Sequence, residues 1–170
     1  SRVTIFGNGA AHSTMGKSTT CSVASIPTMT FGAATQKVFG ADNVNTTLLD
    51  NAYASLGATT ATEVVEAPIS DVEKYASSWS GDYNDAAIAV FTRLGGESND
   101  TAMFGKDGSH FLGLQANEKD LMSYLKAQKA AGVFKKIVVI INADQMMELD
   151  WLDDYDVDAC VLAGVPGVIG

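Results

Sequence analysis

Two short apolar runs constrain the fold of this chain more than any other feature. Residues 86–91 (Ala-Ala-Ile-Ala-Val-Phe) and 137–141 (Ile-Val-Val-Ile-Ile) contain small, branched and aromatic side chains and no polar ones. Runs of this length without polar alternation are typical of strands that are buried on both faces of a parallel sheet. The first run soon reaches Gly95 and Gly96, and glycines in this position indicate the end of a strand.

Further strands and helices alternate along the chain. The predicted strands cover residues 2–6, 43–49, 86–91, 136–142 and 159–163. The predicted helices cover residues 30–39, 70–79, 117–132 and 147–153. Gly40 is placed to end the first helix, the segment 70–73 has the spacing of a capping box, and Asn117 is the expected cap of the third helix. The alternation predicts an α/β fold, a three-layer sandwich with a mainly parallel sheet of about five strands flanked by helices.

Composition argues against several classes of function. The 170 residues suit a single α/β sandwich domain over residues 1–170, and a net charge of -9 argues against nucleic acid as a partner. No apolar run approaches the roughly 20 residues that cross a bilayer, so no membrane partner is expected. The two cysteines and two histidines lack the spacing of metal ligands, and we predict neither a metal nor a cofactor. The chain ends in a loop where a helix is expected, which indicates a fragment, and the compartment stays open.

The loop after residues 86–91 is the predicted functional site. In open α/β sheets, ligands bind at the carboxyl ends of the strands. Glu97 is the first carboxylate after the two glycines, on a loop that leaves this edge. From the residues alone, it is either a ligand-facing acid or an exposed loop carboxylate.

Three segments of the second half resemble the carboxyl-terminal α/β sandwich domain of glycoside hydrolase family 3, the β-glucosidase-type family. Residues 93–97 (Arg-Leu-Gly-Gly-Glu) are similar to the family's loop after a strand. Residues 138–142, followed by Met147 to Leu152, resemble its later strand and tryptophan segment, and residues 157–167 resemble a strand that ends in a Gly-x-Pro-Gly turn. The first half is similar at residues 3–7 and more loosely at 16–18, whereas residues 48–67 match no segment of the family.

The resemblance implies a part of a retaining β-glycosidase that hydrolyses terminal β-glycosidic bonds. It implies Glu97 as the general acid/base, with Arg93, Gly96 and Ser98 at the substrate, a β-linked oligosaccharide or glycoside. The nucleophile of such enzymes lies on a preceding barrel domain, which is the implied partner, so this chain alone is expected to be inactive. The family often has glycine and arginine where this chain has Ser98 and Thr101. For Arg93, a surface or interdomain salt bridge is an equal alternative.

Two other functions stay open. The first is a non-catalytic carbohydrate-binding or interdomain structural module of the same fold. The second is a phosphate-loop nucleotide binder, because residues 11–18 (Ala-His-Ser-Thr-Met-Gly-Lys-Ser) fit a relaxed phosphate-loop pattern. Such a loop should leave its strand at once and open a helix, whereas several residues separate Phe6 from the pattern and Pro27 soon follows. Asn142 also occupies the obvious position for an acidic magnesium ligand, so the glycosidase is the preferred interpretation.

Overall fold

A computed structural model describes residues 1–15, 29–95 and 100–166. All strands are parallel. They are β1 (Val3–Phe6), β2 (Val44–Asn45), β3 (Ala86–Arg93), β4 (Ile137–Ala143) and β5 (Ala159–Leu162). The α-helices of the described residues are α1 (Asn8–Ala11), α2 (Phe31–Phe39), α3 (Thr47–Asp50), α4 (Ile69–Val72), α5 (Ala116–Ala130) and α6 (Trp151–Asp154). Short 3-10 helices cover Ala41–Asn43 and Glu73–Ser78.

The five strands form one sheet in the order β2-β1-β3-β4-β5, with helices on both faces. The predicted three-layer α/β sandwich is therefore confirmed. Alternate residues of β3 divide between two cores, because successive side chains of a strand point to opposite faces. Ala87, Ala89 and Phe91 join the larger core, whereas Ile88 and Val90 join the smaller one.

The two faces of the sheet are unequally covered. The larger core receives side chains from α3, α4, α5 and α6, and its centre is an aromatic cluster in which Phe6 lies 5.2 Å from Trp79 and 5.7 Å from Phe134, measured between ring centroids. On the smaller core, the helix α2 packs through Phe31. The edge strand β5 leaves Leu162 67% exposed. Among the described helices, none combines the length and apolar character needed to cross a membrane.

The first helix prediction is confirmed. The hydroxyl of Thr30 accepts the backbone N–H of Ala33 at the start of α2, as an N-cap residue does. Gly40 follows the last residue of the helix with φ 86°, a conformation that glycine adopts without the steric penalty of a Cβ atom.

Three sequence predictions need correction. The strand predicted over 43–49 is only Val44–Asn45, after which the chain turns into α3. The predicted capping box at 70–73 does not form, because Pro68 is the N-cap residue and the helix already begins at Ile69. The helix then tightens into the 3-10 helix 73–78 before it reaches Trp79.

Two further helix boundaries also differ. Asn117 does not cap α5, because the helix begins one residue earlier and Gln115 is its N-cap residue. The carboxylate of Glu118 accepts the backbone N–H of Gln115 at 2.9 Å, which closes the first turn. The helix predicted over 147–153 is confined to α6, at the end of that range.

Candidate functional site

The candidate site lies at the carboxyl ends of β1 and β3. The chain runs from β1 to β2 on one side, and then crosses β1 to add β3, β4 and β5 on the other side. The strand order therefore reverses between β1 and β3, and crevices at such a reversal are the usual ligand sites of open α/β sheets. The loop that carries Glu97 leaves from this edge, directly after β3 and Gly95.

Two glycines let the turn after β1 pass close to β3. Gly7 has φ 89°, and a Cβ atom there would overlap the backbone carbonyl of Val90. A Cβ atom at Gly9 would lie 2.7 Å from the same carbonyl oxygen and 2.7 Å from a methyl group of Thr92. Only glycine allows the two backbones to approach this closely, so the end of β1 is fixed against the end of β3.

A buried carboxyl group holds the start of this turn. The Asn8 N–H donates to one Glu66 oxygen and the Ala67 N–H to the other, both at 2.9 Å. Burial raises the pKa of Glu66 to about 8, although these two N–H groups oppose the shift. Glu66 is therefore largely protonated at neutral pH.

The neighbouring phenol is also neutral. The Tyr53 hydroxyl accepts the Gly7 N–H at 2.9 Å. Burial and the nearby Glu66 raise the pKa of Tyr53 well above its ordinary value. Within the described residues, the side-chain oxygen of Asn8 is buried without a hydrogen-bond partner, whereas its amide donates to the carbonyl of Gly57 at 2.8 Å. This side of the site is a buried polar cluster with little charge.

The end of β3 is held by a buried ion pair. Arg93 is the last residue of the strand and is 0% exposed, and its guanidinium donates to both oxygens of Glu118 at 2.8 and 2.7 Å. The remaining N–H groups donate to the carbonyls of Phe111, Thr92 and Gly113 at 2.7, 2.8 and 2.5 Å. All five donors of the guanidinium are thereby used, and none is left for a sugar hydroxyl. The sequence had suggested a surface or interdomain salt bridge as one role of Arg93, whereas the ion pair that forms is buried within this domain, with Glu118 as its partner.

The segment that follows β4 anchors both ends of the 96–99 loop. The Gly95 N–H donates to the carboxylate of Asp144 at 3.0 and 3.1 Å. The amide of Gln145 donates to the hydroxyl of Thr101, and the Ala102 N–H donates to the carbonyl of Ala61 at 3.0 Å. Gly95 and Thr101, which flank the loop, are therefore bonded to Asp144 and Gln145, two consecutive residues after β4.

Asn142 ties the loops after β1 and β5 to the end of β4. Its side-chain oxygen accepts the Thr14 N–H at 2.6 Å, and its amide donates to the carbonyls of Thr14 and Gly164 at 2.9 and 2.8 Å. The amide is fully engaged in this role, in which it links the loops after β1 and β5 to the end of β4. Among the residues that the structure describes, no cluster of three metal-ligating side chains occurs.

The predicted site residues fall into two groups. Glu97, Gly96 and Ser98 lie outside the described residues, as does the Gly-Lys-Ser part of the phosphate-loop pattern at 16–18. Arg93 lies at the predicted edge but is buried beneath it. Trp151, in the segment that resembles the family's tryptophan segment, is 8% exposed and packs edge-to-face against Phe91.

Sequence reasoning missed the acidic residues that organise the site. Glu118 stands three residues after Gln115, and this spacing is a capping-box signal. Glu66 lies in the stretch that resembled nothing, and a lone glutamate among apolar residues gives no pattern from which burial can be read. Asp144 follows β4 directly, so its position at the carboxyl edge was readable, although its bond to Gly95 was not.

A shallow groove adjoins this edge on the side of α5. Its volume is about 300 Å³, and its polar lining includes Glu63, Lys106 and Asn117. Lys106 and Glu63 form an exposed ion pair across it, with a nitrogen–oxygen distance of 2.5 Å. The groove thus presents charged and amide groups next to the buried Glu66.

The chain matches no protein-family model, and a search of curated proteins finds no match to it.

Proposed function

We propose that this chain is the acid/base-bearing α/β domain of a retaining β-glycosidase similar to glycoside hydrolase family 3, with Glu97 as its general acid/base. The observation that carries the proposal is the anchoring of the segment around Glu97. Gly95 is bonded to Asp144, and Thr101 is bonded to Gln145, at the carboxyl ends of the adjacent strands β3 and β4. A carboxyl group that must come within hydrogen-bond distance of a glycosidic oxygen needs a backbone that is held in place on both sides.

The reaction needs two carboxyl groups, about 5 Å apart in a retaining enzyme. In the first step, a carboxylate on the partner barrel domain attacks the anomeric carbon, and Glu97 gives its proton to the leaving oxygen as the glycosidic bond breaks. In the second step, Glu97 takes a proton from water, which attacks the anomeric carbon and releases the partner's carboxylate. The proton returns to Glu97, so one water molecule is consumed and the domain is unchanged.

The buried carboxyl groups of this domain serve other purposes. Glu118 is paired with Arg93, and Glu66 accepts two backbone N–H groups. Both are nearly inaccessible, with exposures of 2% and 8%. Neither is accessible enough to act as the nucleophile, which the resemblance assigns to another domain.

The test replaces Glu97 by alanine in the full protein that contains the barrel domain. With an aryl β-glycoside whose leaving group is poor, we expect hydrolysis to fall by about 10²- to 10⁴-fold, the usual contribution of general acid–base catalysis. With a dinitrophenyl glycoside, which needs no proton for departure, the first step should be nearly normal, and azide should restore turnover by replacing water. The matched control is Asp100→Ala, which removes a carboxylate from the same loop.

The outcome separates this proposal from its main alternative. Full activity of Glu97→Ala on poor leaving groups would overturn the assignment of the acid/base. A non-catalytic carbohydrate-binding module is the second candidate, favoured by the polar groove of about 300 Å³ at Glu63, Lys106 and Asn117. It would show saturable oligosaccharide binding that Asn117→Ala abolishes and Glu97→Ala leaves intact, together with no hydrolysis by the full protein.

A further inference from the structure

A small open cavity lies between the loop before α5, the start of α5 and the helix α6. Its volume is about 230 Å³. The loop contributes His110 to its walls, α5 contributes Lys119, and the α6 region contributes Asp154 and Tyr155. None of these residues belongs to the 96–99 loop or to the groove of about 300 Å³ on the other side of the α5 start. The cavity is therefore a feature of its own.

One end of the cavity is held by a histidine–glutamate pair. The Nδ1 atom of His110 is bonded to the carboxylate of Glu148, and the Glu148 N–H donates to the carbonyl of Leu112 at 3.1 Å. Because a carboxylate only accepts hydrogen bonds, Nδ1 carries the proton of this pair. A carboxylate partner of this kind fixes the orientation of the imidazole ring and leaves Nε2 as its available atom.

The α6 wall of the cavity carries polar groups that are not used within the described part of the chain. Asp150 and Asp154 stand four residues apart and both line the cavity, and neither carboxylate is bonded to a described residue. The hydroxyl of Tyr155 is also unbonded there. Lys119 uses one of its three donors, toward the hydroxyl of Ser109 at 3.1 Å. Unused acceptors and unused donors thus face the same space.

An aromatic pair completes the lining. Trp151 is fixed in place, because its Nε1–H donates to the carbonyl of Glu148 at 2.6 Å. The ring of Tyr155 packs edge-to-face on it, with 6.2 Å between the ring centroids. Ligand sites commonly combine such apolar ring surface with a few polar groups that fix the orientation of the ligand.

We propose that this cavity binds one ring of a neutral, polyhydroxylated ligand, a sugar residue, through Asp154, Lys119 and Tyr155. Each hydroxyl of a sugar both donates and accepts hydrogen bonds, so such a ligand uses the whole mixed set. A cation would use only the carboxylates, and an anion only the donors. The volume equals that of roughly eight water molecules at about 30 Å³ each, which suits a single ring. The inference does not depend on the role of Glu97.

The experiment is a titration of the 170-residue chain with methyl β-glucoside, followed by NMR of the backbone amide groups. We expect saturable shifts at Gly113, Lys119 and Tyr155. The dissociation constant should be about 1–10 mM, as is usual for so small a ligand in an open site. The amides of Val64 and Ala116, which line the other groove, should not shift.

Two variants each change one polar group of the cavity. Asp154→Asn replaces a charged acceptor by a neutral amide and should weaken binding by about 10-fold, whereas Tyr155→Phe removes a hydroxyl and should weaken it by roughly 3-fold. The matched control is Asp153→Asn, which alters the neighbouring carboxylate of α6 that does not line the cavity. It should leave the dissociation constant unchanged. Melting curves check that all variants are folded.

Methylguanidinium and inorganic phosphate are the probes for the other ligand classes. Saturation by either ion without saturation by the sugar would overturn the proposal, as would the absence of sugar-induced shifts up to about 100 mM. Shifts that neither Asp154→Asn nor Tyr155→Phe weakens would place the sugar elsewhere, which also contradicts the proposal. Failure of the proposed function is a separate result, because a fully active Glu97→Ala would overturn the acid/base assignment and leave this binding site unaffected.

Discussion

Replacement of Glu118 by glutamine tests the energetic side of the buried pair. The substitution keeps the shape of the side chain and removes one charge, which leaves the Arg93 guanidinium charged at 0% exposure. Breaking a buried pair from one side costs about 3–5 kcal/mol, because the remaining charge is uncompensated. Since Arg93 retains its bonds to three carbonyls, we expect the lower end of this range, about 3 kcal/mol in the free energy of unfolding.

This loss should be large enough to measure in two ways. In a domain of this size, 1 kcal/mol corresponds to about 2–4 °C, so the melting temperature should fall by roughly 6–12 °C. Urea unfolding at pH 7 should show a lower midpoint with an unchanged slope. The control is Glu63→Gln, which breaks the pair with Lys106, where the two side chains are 44% and 74% exposed. Pairs as exposed as this one contribute at most about 1 kcal/mol.

Salt gives an independent check of the same reasoning. Screening acts on exposed charges and much less on buried ones. At high salt, the small effect of Glu63→Gln should vanish, whereas the large effect of Glu118→Gln should persist. If Glu118→Gln unfolds within 1 kcal/mol of the unmodified protein, or if salt removes its effect, the pair is not the desolvated anchor that its geometry indicates.

Two further predictions concern the turn after β1. Because burial raises the pKa of Glu66 to about 8, the folded protein keeps a proton that the unfolded chain has lost above its ordinary pKa, so stability falls as pH rises from about 5 to 8. Glu66→Gln should remove this slope, up to about 1.4 kcal/mol per pH unit, in pH-dependent urea unfolding, and Glu63→Gln should not. Gly9→Ala should destabilise by about 1–3 kcal/mol, because its Cβ atom would meet the Val90 carbonyl. Gly81→Ala, where no atom lies within 4 Å, should have little effect in the same melting experiment, and equal melting temperatures would contradict the close approach.

The sequence predicted the sheet well because its strands are buried on both faces. In β3 and β4, a continuous apolar run is the direct consequence of two covering layers. The run of β3 underestimated the strand by two residues. Thr92 and Arg93 still pair with β4, but their polar side chains gave the appearance of a loop. The arginine is tolerated there because Glu118 neutralises it.

Local capping signals were less reliable, because several residues competed for each helix start. At 68–73, Pro68 takes the N-cap position with φ -57° and ψ 141°, so the helix starts before Ser70 could cap it. Before α5, Gln115 was chosen over Asn117. The deciding contact is the side chain of Glu118, whose direction depends on Arg93 from a distant part of the chain. Contacts between residues this far apart leave no trace in a local pattern.

The electrostatics of the site follow from a shortage of positive charge beneath it. Two carboxyl groups are buried here, Glu66 and Glu118, and Arg93 is bonded to Glu118 through both of its oxygens. Glu66 is left without a cation, and the charge of Glu118 adds to burial in raising its pKa. Because Glu66 is protonated below about pH 7, the buried groups Arg93, Glu118 and Glu66 together carry little net charge. If, as proposed, Glu97 exchanges a proton in every turnover, the pH dependence of catalysis below about pH 7 should report Glu97 and its partner carboxylate and not Glu66, which keeps its proton over that range.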